Sequence, residues 1–469
     1  MTQCKHYRIC GRDALDGEDL CILHSQNPEK GRKAFDEALA EHRKVKGDDF
    51  QHFVFPALAD FSKTEFKERA NFMLVWFRDE SRFDEAQFSG TADFNGSLFH
   101  GKTWFENAKF NNGALFSMTQ FPGGAEFTAA QFDSRTSFGL AKFAQSARAS
   151  FQHAQFTGKT DFFSSTFGET AFMSARFTGP VEFFHTEFIG KANFAATEFA
   201  SKCRFINVQF KSGANFHGSR FTGQTLIATV SELGGYGLPP ILSGGEVDFR
   251  DVLIYPLDTI SIRNADLAQS RFLGTDLRKA EFVGVKWPKK GGRFRVYDED
   301  APLEGQTRAW HDIEHLYRQL KQNYEDRKDY ERASDFHYGE KEMRRRNKEG
   351  TPLGLRVLLN LYWLVSGYGE RWVRPLLWFI AFLGAFTIGY LWRGLLKFQT
   401  ATPSGALKYV DFTHFLDVLV CSLQVMILLK PGYFETYDVW GRLIYTAQSV
   451  LGPILIGLFA LAVRQRLKR

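Results

Sequence analysis

Phenylalanine recurs through residues 61–221 at alternating steps of five and six, as Phe61, Phe66, Phe72, Phe77, Phe83, Phe88, Phe94, Phe99 and onward. Thirty of these rings form fifteen F-x4-F pairs, most of them following the last at eleven residues, and only Phe143 to Phe151 and Phe167 to Phe172 break step. Neither the 3.6-residue period of a helix nor the two-residue period of a strand generates this spacing. Two positions before nearly every ring stands a small or β-branched residue, among them Ala86, Ala92, Thr103, Ala108, Ala114, Cys203 and Ala214. One large and one small inward residue per short straight segment predicts a coil with rings stacked inside it. Gly90, Gly101 and Gly113 fall beside the extra residue and are expected to supply unusual φ at corners. Ahead of the repeats, Phe35, Ala38, Leu39 and His42 lie on one side of a predicted helix, expected to cover the open end of the first coil.

The pattern changes after residue 287. Residues 288–306 carry Pro, Gly and mixed charge and read as a linker. Helical periodicity follows, with Ile313, Leu316, Tyr317, Leu320 and Tyr324 on one face, then Tyr330, Ala333, Phe336 and Tyr338. Glu314 with Arg318, Glu340 with Arg344 and Glu342 with Arg346 are i,i+4 pairs in the favourable order. They predict an amphipathic hairpin whose basic end, Arg344 to Arg346, is expected to touch a membrane surface. Leu353 to Val365 is apolar except for Arg356 and Asn360, and is expected in the interface.

Residues 375–392 and 443–463 are uncharged and long enough to span a bilayer. Trp363, Trp372, Trp378, Trp392 and Trp440 cluster at their ends as an aromatic belt would. Between them, residues 412–429 are apolar but hold His414 and Asp417, whose burial in lipid costs at least about 2.5 kcal/mol. If this segment spanned, the basic tail Arg464, Arg466, Lys468, Arg469 would lie opposite the N-terminal regions, against the positive-inside rule. A re-entrant helix is therefore expected, with N- and C-termini both cytoplasmic.

A second repeat block is stricter: NADLA QSRFL GTDLR KAEFV, from Asn264, places Leu267, Phe272, Leu277, Phe282 and Trp287 at steps of five. It resembles the pentapeptide-repeat family, whose unit is A(D/N)LXX. The resemblance implies a right-handed quadrilateral β-helix, with roughly seven coils in the first block rising about 4.8 Å each. Residues 415–469 resemble the pore region of the bacterial potassium-channel superfamily, on Ser422, on WGR at 440–442, on LGPIL and on the basic exit. This implies two membrane helices with a pore loop between them, several copies around an axis, most simply four, and Asp417, Ser422, Gln424 and Lys430 near the path. The T-x-G-Y-G filter is absent and VMILLKPGYF stands in its place, so potassium selectivity is not expected, and Lys430 at the mouth would favour anions. The stretch YRQLKQNYEDRKDYERASDFHYGEKEMRRR resembles the juxtamembrane part of pentapeptide-repeat membrane proteins that end in such a module.

Chemistry narrows the picture further. The net charge is +6, yet residues 61–221 hold 17 Lys and Arg against 15 Asp and Glu. So even a balance suits neither an acidic DNA mimic nor a basic phosphate-binding stripe, and no nucleic-acid partner is expected. No signal peptide is expected at the N-terminus, where MTQCKHYRICGRD carries charges in place of an apolar run. Three of the five cysteines precede residue 22, which in a reducing compartment points to metal rather than disulfides. Cys4, Cys10, Cys21 and His24 form C-x5-C-x10-C-x2-H, the ligand types of a closed, structural zinc site, with His6 able to replace one ligand and Gly11 and Gly17 permitting the turns. No phosphate loop, nucleophile elbow or H-E-x-x-H motif occurs, and no enzyme activity or catalytic residue is expected.

The expected layout is a zinc-binding cap at 1–28, a capping helix and entry at 29–60, and a pentapeptide-repeat β-helix at 61–287 interrupted about 222–246. A linker at 288–306, a helical hairpin at 307–350 and a membrane module at 351–469 complete it. The expected function is a multi-pass inner-membrane channel or pore-forming effector controlled by the solenoid. The alternative is a membrane-anchored scaffold whose solenoid binds a protein ligand; a phage-defence role fits either by analogy of architecture.

Overall fold

The computed structural model describes residues 2–27, 30–230, 239–302, 309–392, 396–398, 408–409, 415–431, 434–436 and 439–467. The chain divides into two units, Met1–Arg308 and Ala309–Arg469. His414 and Ser404 lie outside the described residues.

The first unit opens with a short helix α1 (Tyr7–Cys10) and a longer one, α2 (Arg32–Lys46), whose buried residues are Phe35, Ala38 and His42. A parallel β-solenoid of about ten turns follows. Its strands are mostly two residues long and stack into four parallel ladders of eight, ten, nine and ten strands, one ladder per face. Successive strands on a face mostly stand 22 residues apart, as in Val54 with Trp76 and Ala92 with Ala114. Each coil therefore spends two F-x4-F pairs on four faces. The phenylalanines fill the interior as four columns, with Phe94 and Phe116 parallel at 4.9 Å between centroids and Phe66 and Phe88 at 4.6 Å. Neighbouring columns meet edge to face, Phe72 against Phe83 at 5.4 Å and 90°. Stacking at the strand spacing and edge contact across it satisfy the ring quadrupoles in both directions.

The ladders begin at Val54–Phe55, ahead of the expected start at 61, because Phe50 and Phe55 already carry the columns, stacked on Phe72 and Phe77. Strand Thr225–Ala228, inside the expected interruption, pairs with Cys203–Ile206 and with Ile260–Arg263, so the fourth face runs on across it. The step break after Phe143 is absorbed at a corner, where the Ala147 amide donates to the Ala144 carbonyl at 3.2 Å, and Ala149 returns to pair with Ala125.

Corners use a different device from the one expected. Gly113 does have φ of 93°, but the recurrent positive φ falls on ordinary residues at steps near eleven, including Lys63, Leu74, Glu85, Asn107, Met118 and Ala129. Gly101 serves close approach instead: a Cβ there would sit 2.5 Å from the Asp79 carbonyl carbon of the preceding coil. Asp or Asn one place before the inward ring holds the corner, since Asp60 Oδ1 accepts from the Ser62 amide at 2.9 Å and Asn215 Oδ1 from that of His217 at 2.9 Å.

Residues 288–302, read as linker, instead close the last coil. Lys289–Lys290 pairs antiparallel with Arg293–Phe294, and α3 (Tyr297–Asp300) lies against strand Ser270–Arg271. The Asp298 carboxylate accepts the Phe272 amide at 3.0 Å, while Arg293 and Glu299 form a buried ion pair at 2.7 Å. The mixed charges that resembled a solvated linker are thus consumed by pairing and by the coil's free backbone edge.

In the second unit, α4 (Trp310–Asp326) and α5 (Tyr330–Arg346) form the expected hairpin. Glu314 pairs with Arg318 and Glu342 with Arg346, each at 2.7 Å, whereas Glu340 reaches across the hairpin to Arg318 at 3.2 Å. Helix α6 (Leu353–Ser366) leaves Leu353, Val357, Leu358, Leu361 and Leu364 exposed. Helices α7 (Val373–Trp392) and α9 (Val439–Leu467) are long and apolar enough to cross a membrane. Between them α8 (Phe415–Met426) has twelve residues, about 18 Å, short of a roughly 30 Å hydrocarbon core.

Candidate metal centre and membrane module

Residues 2–25 fold into a knuckle around their own sulfur atoms. Helix α1 ends on Gly11 at φ of 63°, whose amide donates to the Tyr7 carbonyl at 2.7 Å, and Gly17 turns the chain again at φ of 78°. A second turn closes when the Ser25 amide donates to the Cys21 carbonyl at 2.8 Å. These turns bring together Cys4, Cys10, Cys21 and His24, all buried, with ligand atoms within 4.8 Å of one another. The Cys21 and Cys10 sulfurs are 3.7 Å apart, Cys4 Sγ is 3.6 Å from His24 Nδ1, and Cys21 Sγ is 3.2 Å from it. A tetrahedron with bonds of about 2.3 Å to sulfur and about 2.05 Å to nitrogen has S···S edges near 3.8 Å and S···N edges near 3.5 Å. The cluster thus has the dimensions of a four-ligand site.

Its electrostatics agree with that geometry. Burial pushes His24 down to about 3, which leaves the imidazole neutral and able to ligate. Its other nitrogen, Nε2, meets the Gln51 carbonyl at 3.3 Å, which directs Nδ1 at the sulfurs. Burial, then the neighbouring sulfurs of Cys10 and Cys4, push the Cys21 thiol up to about 12. Three sulfurs crowded this way need a cation before they can ionise together. The Cys21 amide already donates to Cys4 Sγ at 3.2 Å. His6 does not join the cluster; its ring stacks on His52 at 4.4 Å and lies 4.7 Å from the His24 ring.

The sequence pattern gave no sign of Lys30. Its side chain is buried, and Nζ donates to the carbonyls of Ile22 at 2.9 Å, Ser25 at 2.8 Å and Val54 at 2.6 Å. Burial pulls this ammonium down to about 7, while three carbonyl acceptors use all three of its N–H donors.

The four expected pore residues divide. Ser422 is buried: Gln448 Nε2 donates to its carbonyl at 2.8 Å and to its hydroxyl, and Tyr390 Oη donates to Gln448 Oε1 at 3.0 Å. This polar chain joins α7, α8 and α9 inside an apolar cluster of Tyr390, Leu391, Val418 and Cys421. At Gly452 of α9, a Cβ would meet the Met426 carbonyl oxygen at 2.2 Å, so the glycine lets the end of α8 touch α9. Asp417 and Lys430 are exposed and Gln424 is half-buried. Ser422 therefore faces the interior of its own subunit, because Gln448 offers it a partner there.

The chain flanking α8 is held by one strand. Leu396–Phe398 pairs antiparallel with Lys408–Tyr409 on one side and with Phe434–Thr436 on the other. The segment containing α8 therefore leaves from and returns to the same three-stranded sheet.

Residues 50–98 and 94–142 match the family model described as pentapeptide repeats (9 copies). No curated protein and no solved structure matches the chain. The match falls on the coils whose rings and ladders are described above, and the solenoid of the first unit is built of pentapeptide repeats.

Proposed function

We propose that this chain is a multi-pass inner-membrane protein whose two-helix, pore-loop module opens or closes under control of its cytoplasmic pentapeptide-repeat solenoid. The observation that carries the reading is the sheet shared by both flanks of α8. A twelve-residue apolar helix that leaves and re-enters one end, between two helices of spanning length, has the plan of a pore loop. The exposed carboxylate of Asp417 supports a wet or subunit-facing surface rather than lipid, and several copies, most simply four, would surround the path. Gln424 and Lys430 stay with Asp417 as candidates for lining it.

The metal in the Cys4, Cys10, Cys21, His24 site is proposed to be zinc, held closed and without a reactive position. The near balance of charge on the coils argues against nucleic acid. Exposed Leu74, Met118 and Leu140, on one corner of the solenoid with Phe163 beside Leu140, support a protein ligand there. No reaction is assigned to the chain.

A membrane-anchored scaffold without conductance is the second reading, favoured by the missing filter sequence. Reconstitution into liposomes discriminates between them. Anion or cation flux, abolished or altered by Asp417→Ala or Lys430→Ala, is the expected result. Absence of flux from oligomeric protein, with and without the solenoid's ligand, would leave the scaffold.

A further inference from the structure

We propose that the metal knuckle is a lock on the first coil of the solenoid, and that Lys30 is the bolt connecting the two. The inference rests on the zinc reading of the Cys3His cluster.

A solenoid end is an open row of amides and carbonyls, each of which needs a partner. At the N-terminal end the carbonyls of Asp49, Gln51 and Val54 each face one side-chain nitrogen. His42 Nε2 lies 2.6 Å from the first, His24 Nε2 3.3 Å from the second and Lys30 Nζ 2.6 Å from the third. The Val54 amide completes the edge by donating to the Leu23 carbonyl at 2.9 Å. Apolar contacts follow the same seam, with the His24 ring edge-on to Phe53 at 5.0 Å and Phe35 edge-on to Phe55 at 5.3 Å.

Most of these contacts depend on one turn. His24 is a member of the metal cluster, Leu23 lies inside the turn, and the other two Lys30 hydrogen bonds go to Ile22 and Ser25, on either side of His24. That turn keeps its shape while Cys21 and His24 are drawn toward Cys4 and Cys10 by a shared cation. Removing the cation leaves three sulfurs without a charge to hold them, and it frees residues 21–25. His24, Leu23 and Lys30 then withdraw together from Gln51 and Val54. His42 comes from α2, contributes no ligand, and remains. Because coils bond only to their neighbours, the opening stays local to the first turn.

Hydrogen exchange of the zinc-loaded full chain in detergent, with and without a chelator, reads this directly. Peptides from residues 50–60 should exchange about tenfold faster or more after chelation, and peptides from 110–132 should not change. Lys30→Met, which keeps the volume and removes the donors, should retain one zinc per chain while residues 50–60 exchange fast whether or not zinc is present. Wild-type protein that binds no zinc would overturn the zinc reading itself. Bound zinc with exchange at 50–60 indifferent to chelation would overturn the lock and leave the zinc site standing. Wild-type behaviour in Lys30→Met, or loss of its zinc, would remove Lys30 as the connecting residue.

Discussion

Phe132 lies flat between Phe110 and Phe156, with centroids 4.9 and 4.7 Å away, and no part of it reaches solvent. Phe132→Ala should cost about 3–5 kcal/mol, while Lys142→Ala, on an exposed side chain, should stay within about 0.5 kcal/mol. Equal shifts of the two variants in thermal unfolding would show that the rings are not the core. The small residue before each ring was legible as small, but not as polar with a purpose. At some of these positions a hydroxyl donates to a ring residue's carbonyl, Thr119 to that of Phe94 at 2.8 Å and Thr197 to that of Phe172 at 2.7 Å, while Thr103 donates to the Gly101 carbonyl two places back at 3.4 Å. Asp298 offers a pH test. Burial raises its carboxyl from 3.8 to about 6, so well below pH 3.8 it is protonated folded or unfolded and contributes nothing. As pH rises toward 6 the unfolded form ionises first, and stability of the C-terminal cap falls by about 3 kcal/mol in total, then stays level. Asp298→Asn should flatten this dependence while its side-chain oxygen still accepts the Phe272 amide. Exchange at Phe272, followed between about pH 3 and 7, measures it, and an unchanged slope would remove Asp298 as the cause.

Helix α8 takes its position from side chains of two others, α7 and α9. Gln448 satisfies Ser422 and Tyr390 together, so Gln448→Leu leaves two buried polar groups without a partner and should destabilise the module by about 1–3 kcal/mol. Tyr390→Phe removes one bond and should cost about 1 kcal/mol or less. Thermal unfolding in detergent compares them, and equal losses would show that Gln448 does not organise the contact. The re-entrant path is tested by labelling. Cysteine at Ser404 or at Thr436, where the backbone pairs with Leu396, should react from the periplasmic side, and cysteine at Gln465 only from the cytoplasm. Reaction of Ser404 and Thr436 from opposite sides would mean that α8 spans, and the pore loop would be lost with it.

At the scale of the whole molecule, both solenoid ends are closed by charged or titratable groups acting on backbone. His24, His42 and Lys30 serve one end; Asp298 serves the other, with Arg271 donating to the Ala301 carbonyl at 2.6 Å. A repeat that exposes its hydrogen-bonding edge invites the next copy, and these caps stop that propagation. On the proposed pore reading the opposite holds for the second unit, since a pore between two-helix subunits needs copies around an axis. The detergent-solubilised chain should be a homo-oligomer by mass measurement, most simply a tetramer, and a strict monomer would favour the anchored scaffold.

The eleven-residue rhythm of Phe61 to Phe221 determined the solenoid by itself, because one ring per short segment has only one inside to go to. The C-x5-C-x10-C-x2-H spacing picked out four residues that do converge, since short turns at Gly11 and Gly17 leave them little freedom. Apolar length likewise marked α7 and α9. What the sequence left open were matters of partner choice. Residues 288–302 looked like a solvated linker because charge patterns do not reveal burial, and only the docked chain showed Glu299 against Arg293 and Asp298 against the coil edge. Lys30 has no signal in one dimension, since its three acceptors lie 8, 5 and 24 residues away. Ser422 turned inward for the same reason: the group that satisfies it, Gln448, is 26 residues distant, and only tertiary structure brings a donor to a buried hydroxyl.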